Sequence, residues 1–386
     1  MKVSQIYQIV NGMAQEILGN TVIVNEDLTN IVDIGREMLN ATDIENYGRK
    51  LVDRIGRVIF VDRVYKGNVP SVMMDGWEFG SVLEKIQADI PEATENKSWD
   101  LKNGTVYEQD TFYKPSYSAK FFNDRITFEV PMSFTELQIK SAFANVEQLN
   151  GFLSMLYNSV DKALTIRQDA LVMRTINAMS AQTIYSENPE VKPEITGVKA
   201  VNLLTLYNNK FTKTLTAEQS ITDTDFIKFA SYIIGMYVSR MSKISTTFNV
   251  GKKERFTNSE DLHIVMLADF YNSANVYLQS DTFHNELTSL PKTEIVSFWQ
   301  GSGKNYDFNS TSKIDVTIPV NNENKVVTTS GILAVMFDTY ALGVTNLDKR
   351  VTTHYNARAE FFNNFYKMDA GYFIDLNENF VVFYVK

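Results

Sequence analysis

The chain has 386 residues, 44% hydrophobic and 22% charged, which rules out a disordered chain and supplies a core that needs no disulfide or metal staple. It has no cysteine, and its three histidines, His263, His284 and His354, are scattered, so thiolate chemistry and iron–sulfur clusters are excluded and nothing marks a zinc site. A net charge of −9, from 37 basic and 46 acidic residues, argues against a protein that grips nucleic acid.

The densest basic patch, Lys252, Lys253 and Arg255, reads as a solvated loop. No signal peptide is expected, no apolar run approaches the ~20 residues of a membrane span, and a soluble protein made in the cytoplasm is expected.

Residues 1–57 read as three short helices. Ile6, Ile9, Val10, Met13 and Ile17 fall at helical spacing, and Gly19-Asn20 ends that segment. A second helix is expected from Asp27 or Leu28 to Leu39. Thr42-Asp43-Ile44-Glu45 resembles a capping box opening a third, through Tyr47, Leu51, Val52 and Ile55. The β-branched run Arg57 to Tyr65 predicts a strand. Residues 66–113 are polar, turn-prone and acidic in balance, with a short helix expected over Val82–Gln87. Compact domains rarely hold so long a weakly patterned stretch unless it is functional or reaches outward.

Phe112 to Val130 shows period two. Tyr117, Ala119 and Phe121 alternate with Ser118 and Lys120, and Ile126, Phe128 and Val130 with Thr127 and Glu129. This predicts a ribbon or half-buried strand, closed by Pro131. A helix opens at Ser133 and breaks near Asn145. A very long one follows, with Leu149, Leu153, Leu156, Val160, Ala163, Ala170, Met173 and Ile176 on its stripe. From Val146 to Ile184 it would be roughly 55–60 Å long. Arg167 and Arg174 interrupt any heptad, so the expectation is a helix lying across a sheet with one face buried.

Residues 186–198 form a linker, and a mixed α/β region follows. Helices are expected at Val201–Tyr207, Asp223–Arg240 and Ala268–Tyr277. Strands are expected at Leu262–Met266, Ile295–Trp299, Ile314–Val320 and Gly331–Phe337. Val351–Phe365 and Gly371–Val385 close the chain as strands, with Gly371 in the turn.

Catalytic patterns are missing. Gly301-Ser302-Gly303-Lys304 suggests a phosphate loop, but Phe298 and Asn305 stand where that pattern needs Gly and Ser/Thr, and a surface loop is the reading. Glu260 and Asp261 read as a loop or helix start, and His263, inside an apolar run, as a core histidine. No catalytic, metal or cofactor residue is predicted, and the chain reads as no enzyme. Aromatic residues gather instead in the polar excursion: Trp77, Phe79, Trp99, Tyr107, Phe112, Tyr113 and Tyr117. Such residues suit subunit contacts, with local packing under the loop as the alternative.

The order of elements is a helical arm, a strand, a long acidic excursion returning on a ribbon, a very long helix, an α/β domain and closing strands. It resembles the major capsid proteins of tailed bacteriophages, which have the Hong Kong 97-type fold. Leu51-Val52-Asp53-Arg54-Ile55-Gly56, the run Leu137 to Phe143, Asn158-Ser159 and Glu260-Asp261-Leu262-His263 are similar to major head proteins of small short-tailed phages. The resemblance implies an α+β fold with an N-terminal arm (1–57), a strand and extended loop (58–131) and the spine helix of a peripheral domain (132–193). An axial domain (194–347) and C-terminal strands returning to the peripheral domain (348–386) complete it. It implies a shell subunit of a virion, assembled as pentamers and hexamers into an icosahedral or prolate head around double-stranded DNA. A separate scaffolding protein and a portal at one vertex are implied partners; specific DNA binding and membrane contact are not. Beginning at Met1 and ending at Lys386, the chain is expected to have lost no scaffold segment and to carry no immunoglobulin-like domain. Lys97, Lys102, Lys114 and Lys120 lie where some members cross-link, but no cross-link is expected. An encapsulin-like compartment shell and an enzyme with a long lid are the alternative readings.

Overall fold

The structure, a computed structural model, describes residues 3–19, 22–42, 46–51, 54, 67–74, 83–88, 90–91, 93–96, 98–107, 110–142, 146–281, 292–299, 313–320 and 323–386. The expected strand at 57–65, the glycine-rich loop at 301–304, Trp77 and Phe79 lie outside the described residues.

The arm begins with α1 (Val3–Leu18) and α2 (Ile31–Ala41), and residues 46–51 are helical. α1 buries Ile6, Ile9, Val10 and Met13, the stripe its spacing predicts, and Gly19 leaves it at a φ of +99°. α2 starts later than expected because residues 25–30 form a turn. Asp27 Oδ1 accepts from the Thr29 amide at 3.1 Å and hydroxyl at 2.8 Å, and Leu28 sits at a φ of +63°.

The strands are β1 (Met73–Met74), β2 (Leu83–Ala88), β3 (Tyr117–Phe122), β4 (Arg125–Thr135), β5 (Ala200–Asn202), β6 (Leu262–Leu267) and β7 (Thr293–Val296). They continue with β8 (Lys313–Val320), β9 (Glu323–Ser330), β10 (Ile332–Asp338), β11 (Leu342–Asn356), β12 (Phe361–Ile374) and β13 (Phe380–Tyr384). A four-stranded sheet has the order β1-β11-β12-β4, and a five-stranded sheet the order β5-β13-β10-β6-β7. β2 pairs with β3, and β8 with β9, as two-stranded ribbons. β6, β10 and β13, the central three of the five, are buried at every position, as a sheet covered on both faces demands.

A helix of 42 residues, Val146–Glu187, packs against strands of both large sheets, and at 1.5 Å per residue it is about 63 Å long. Its first half buries one stripe, Leu149, Leu153, Leu156, Val160 and Leu164, against the arm and against Phe134, Phe362, Tyr366 and Met368. Its second half departs from the one-face expectation. Leu171, Val172, Met173, Ile176, Met179, Ala181 and Ile184 are all buried and cover more than one face, in a second core shared with the five-stranded sheet and β8–β9. The hydroxyls of Thr175 and Ser180 are buried with them and donate to the carbonyls of Leu171 (2.8 Å) and Ile176 (2.9 Å). At its end, Glu187 accepts from the backbone amides of Lys199 (3.0 Å) and Ala200 (2.8 Å), fixing the entry of β5.

Five other expectations are corrected. Residues 83–88 form β2, not a helix, because they pair along their whole length with β3. β4 runs through Pro131 to Thr135, delaying the next helix to Glu136–Ala142; as the edge strand of its sheet, β4 tolerates a proline. Gly371 lies inside β12, paired with Arg125 and Thr345. The reversal falls at 357–360, where Asn356 Oδ1 accepts from the amides of Arg358 (3.1 Å) and Ala359 (3.2 Å). β5 (Ala200–Asn202) takes the start of the helix expected from Val201, which begins at Leu203 with Asn202 as its cap. The closing segment divides: β12 belongs to the four-stranded sheet, whereas β13 is hydrogen-bonded into the five-stranded one.

Leu156→Ala should cost about 2–5 kcal/mol, and replacing the exposed neighbour Met155 by Ala no more than about 0.5 kcal/mol. Urea denaturation of the unassembled subunit checks both.

Candidate assembly surface

β2 and β3 pair antiparallel from Leu83 opposite Phe122 to Ala88 opposite Tyr117. Leu83, Lys85, Gln87, Ser118, Lys120 and Phe122 make the partly buried face, and Glu84, Ile86, Ala88, Tyr117, Ala119 and Phe121 the exposed one. The alternation in the sequence is therefore present with its polarity reversed: lysines and amides face the body, while Ile86, Tyr117 and Phe121 face out.

The inward lysines meet carboxylates. Lys85 Nζ donates to Asp375 Oδ2 (2.8 Å), Glu378 Oε1 (2.8 Å) and the Tyr340 carbonyl (3.1 Å), and Lys120 Nζ donates to Asp375 Oδ1 (2.7 Å). Gln87 donates to Glu378 and accepts from Arg255 Nη2 at 2.7 Å. Arg255 also lies 3.5 Å from Glu378, so this residue is part of the ribbon's root and not of a solvated basic loop. The Asp375 side chain is fully buried. Burial disfavours its charge, but the hydrogen bonds from Lys120 and Lys85 outweigh that and hold its carboxyl below the usual carboxylate range. Asp338 borders the same cluster, and burial pushes its carboxyl up.

Between the two strands, the described residues of 90–116 form no helix or strand. The chain turns at Gly104 (φ +86°), and the Lys102 amide donates to the Tyr107 hydroxyl at 3.1 Å. Trp99 is 98% exposed, Phe112 and Tyr113 85% each, Tyr117 69% and Tyr107 52%. Local packing under the loop does not cover them. Leu101, Val106, Ile86 and Phe121 are exposed with them, and the sequence reading had not singled these out. The signal was available for Phe121, since it shares the period of Tyr117. So large an apolar display on one excursion is more than a monomer surface ordinarily shows.

The histidine singled out in the sequence belongs to the core. His263 is buried in β6, its Nε2 2.8 Å from Thr339 Oγ1, and burial lowers its pKa. Among the described residues no group of His, Asp and Glu could hold a metal ion, and no helix is long and apolar enough to cross a membrane.

A mixed fold built on one very long helix thus carries an excursion whose described aromatic side chains its own chain leaves uncovered. A family model described as Phi29-like phage major capsid protein matches residues 8–384, and the chain belongs to that family. It is thus a major capsid protein, a component of a phage shell. Among solved structures it is similar to a chain in the capsid of Staphylococcus phage Andhra, with 11% identity, a TM-score of 0.49, and 84% of this chain and 86% of that one covered. It is also similar to a chain in the structure of the head fibre and inner core protein gp22 of bacteriophage P68, at 10% identity, a TM-score of 0.49 and coverage of 84% and 86%. A third similarity is to the capsid of cyanophage P-SCSP1u, at 12% identity, a TM-score of 0.48 and coverage of 82% and 86%. No curated protein matches the chain.

The depressed Asp375 pKa sets a pH dependence for the root. Its ion pairs contribute fully above the unfolded value of about 4 and are lost as pH falls through the lower folded value. Hydrogen exchange in β2 and β3, corrected for intrinsic rates, should show constant protection from pH 7 to 5 and falling protection below about pH 4. Constant protection down to pH 2 would contradict this.

Proposed function

We propose that this capsid protein assembles through its extended loop, whose outward face (Ile86, Tyr117, Phe121) and tip (Trp99, Tyr107, Phe112, Tyr113) lie on neighbouring copies. The inverted polarity of the ribbon carries this reading, because an apolar face turned away from its own body gains only by covering another surface. Trp77 and Phe79 belong to the same proposed surface by sequence. The copies form pentamers and hexamers of a closed head, where each contact can be modest because symmetry repeats it. The arm and the long helix with the four-stranded sheet serve as the frame (arm and peripheral domain), and the five-stranded sheet with its helices as the axial domain at capsomer centres.

The family membership supports a reading of the remaining partners. A separate scaffolding protein guides assembly in the host cytoplasm, a portal occupies one vertex, and double-stranded DNA fills the interior without specific binding, in keeping with the net charge of −9. The role is structural and not enzymatic. The family assignment favours a phage head over a compartment shell. Purified particles should contain DNA; a cargo protein in its place would reverse that choice.

The double variant Tyr117→Ser/Phe121→Ser, and separately Trp99→Ala, should leave the unfolding free energy of the subunit within about 0.5 kcal/mol of the parent. Both should sharply lower the yield of closed shells in sedimentation and negative-stain microscopy. Undiminished yield from both would overturn the proposed contact surface.

A further inference from the structure

We propose that Asp375 is a positioning residue for assembly: its one carboxylate, shared by Lys85 of β2 and Lys120 of β3, fixes the direction in which the ribbon presents its apolar face. The proposal rests on the reading of that face as the contact surface.

Lys85 and Lys120 stand directly opposite each other in the β2–β3 register and on the same face. Two cations in that position repel and would splay the ribbon. Asp375 gives each its own oxygen, Oδ2 to Lys85 at 2.8 Å and Oδ1 to Lys120 at 2.7 Å. One carboxylate thereby holds both strands. A single attachment would act as a pivot, whereas two across the width of the ribbon resist both tilt and rotation.

The anchor is itself fixed. Asp375 lies in the turn between β12 and β13, so both large sheets hold it. Its amide donates to the Ala341 carbonyl at 2.7 Å, and its Oδ1 also accepts from the Asn377 amide at 3.0 Å. Glu378, three residues on, binds Lys85 and holds Arg255 beside Gln87. Apolar support at the root is slight by comparison: Phe122 meets Phe373 with ring centroids 5.2 Å apart, and Leu83 is only partly buried. Charge, more than packing, sets the ribbon's direction. Lysine suits this task, since its ammonium is a compact charge with rotatable donors.

The test uses full-length protein. Asp375→Asn keeps the shape and the acceptor for the Asn377 amide and removes the charge; Asp375→Glu restores the charge. Lys120→Met, at a partly exposed position, is the companion if the Asn variant fails to fold. Hydrogen exchange of the unassembled subunit reads the anchor, and shell curvature in negative stain reads its consequence. Exchange at 83–88 and 117–122 should rise at least about tenfold in the Asn and Met variants, with β10 and β13 unchanged. Shells should become irregular or open, and the Glu variant should recover both properties. Unchanged exchange in the ribbon, or an equal rise in β10 and β13, would overturn the anchor. A loosened ribbon with normal shells would overturn the link to assembly. Failure of the contact surface itself is separately visible, because Tyr117→Ser/Phe121→Ser leaves the root intact.

Discussion

One helix of 42 residues has to be buried twice, and that constraint organises the subunit. Its first half offers a single stripe to the arm and the four-stranded sheet, while its second half passes through a core that closes around more of it. Most of the stability of a helix in a folded protein comes from tertiary packing along it, not from propensity. The two sheets therefore depend on a common rod: the four-stranded sheet packs along both halves of it and the five-stranded sheet against the second. The chain crosses between them repeatedly: β12 belongs to one sheet and β13 to the other, with only residues 375–379 between them.

The same turn, 375–379, supplies the carboxylates that receive the extended ribbon. Burying ionic groups is costly, and replacing them by apolar packing often stabilises a fold. An apolar root, however, would have to compete with the ribbon's apolar outer face for the body. With lysines inward and Ile86, Tyr117 and Phe121 outward, the two faces cannot be exchanged without stranding charges under the ribbon. The ion pairs thus specify which face of the ribbon points outward, a specificity that non-directional packing does not provide.

Much of the frame was legible in the sequence because it is long and periodic. The absence of Gly and Pro from Phe152 to Asn188 and the spacing of Leu149, Leu153 and Leu156 announced the long helix. The mostly apolar runs at 262–266 and 331–337 announced β6 and β10. Short segments were legible only where local preference and pairing agreed. Leu-Glu-Lys-Ile-Gln-Ala at 83–88 has helix-forming residues, and cross-strand pairing overrides them. Gly371 suggested a turn, but the turn was signalled by Asn356, whose side chain binds the amides two and three residues on. β9 was missed because only Val327 and Thr329 of its eight residues are buried. The aromatic excursion was visible as a region. Which of its faces points outward depends on Asp375 and Glu378, more than 250 residues away, and no local pattern carries that information.

Hydroxyl-radical footprinting of the same protein as free subunit and as assembled shell tests the central claim most directly. Trp99, Tyr117 and Phe121, all exposed in the subunit, should become strongly protected in the shell, while the already buried Tyr366 and Tyr384 keep their low reactivity in both. If those three exposed residues react as fast in shells as in free subunits, the outward face of the ribbon is not where copies of this protein meet.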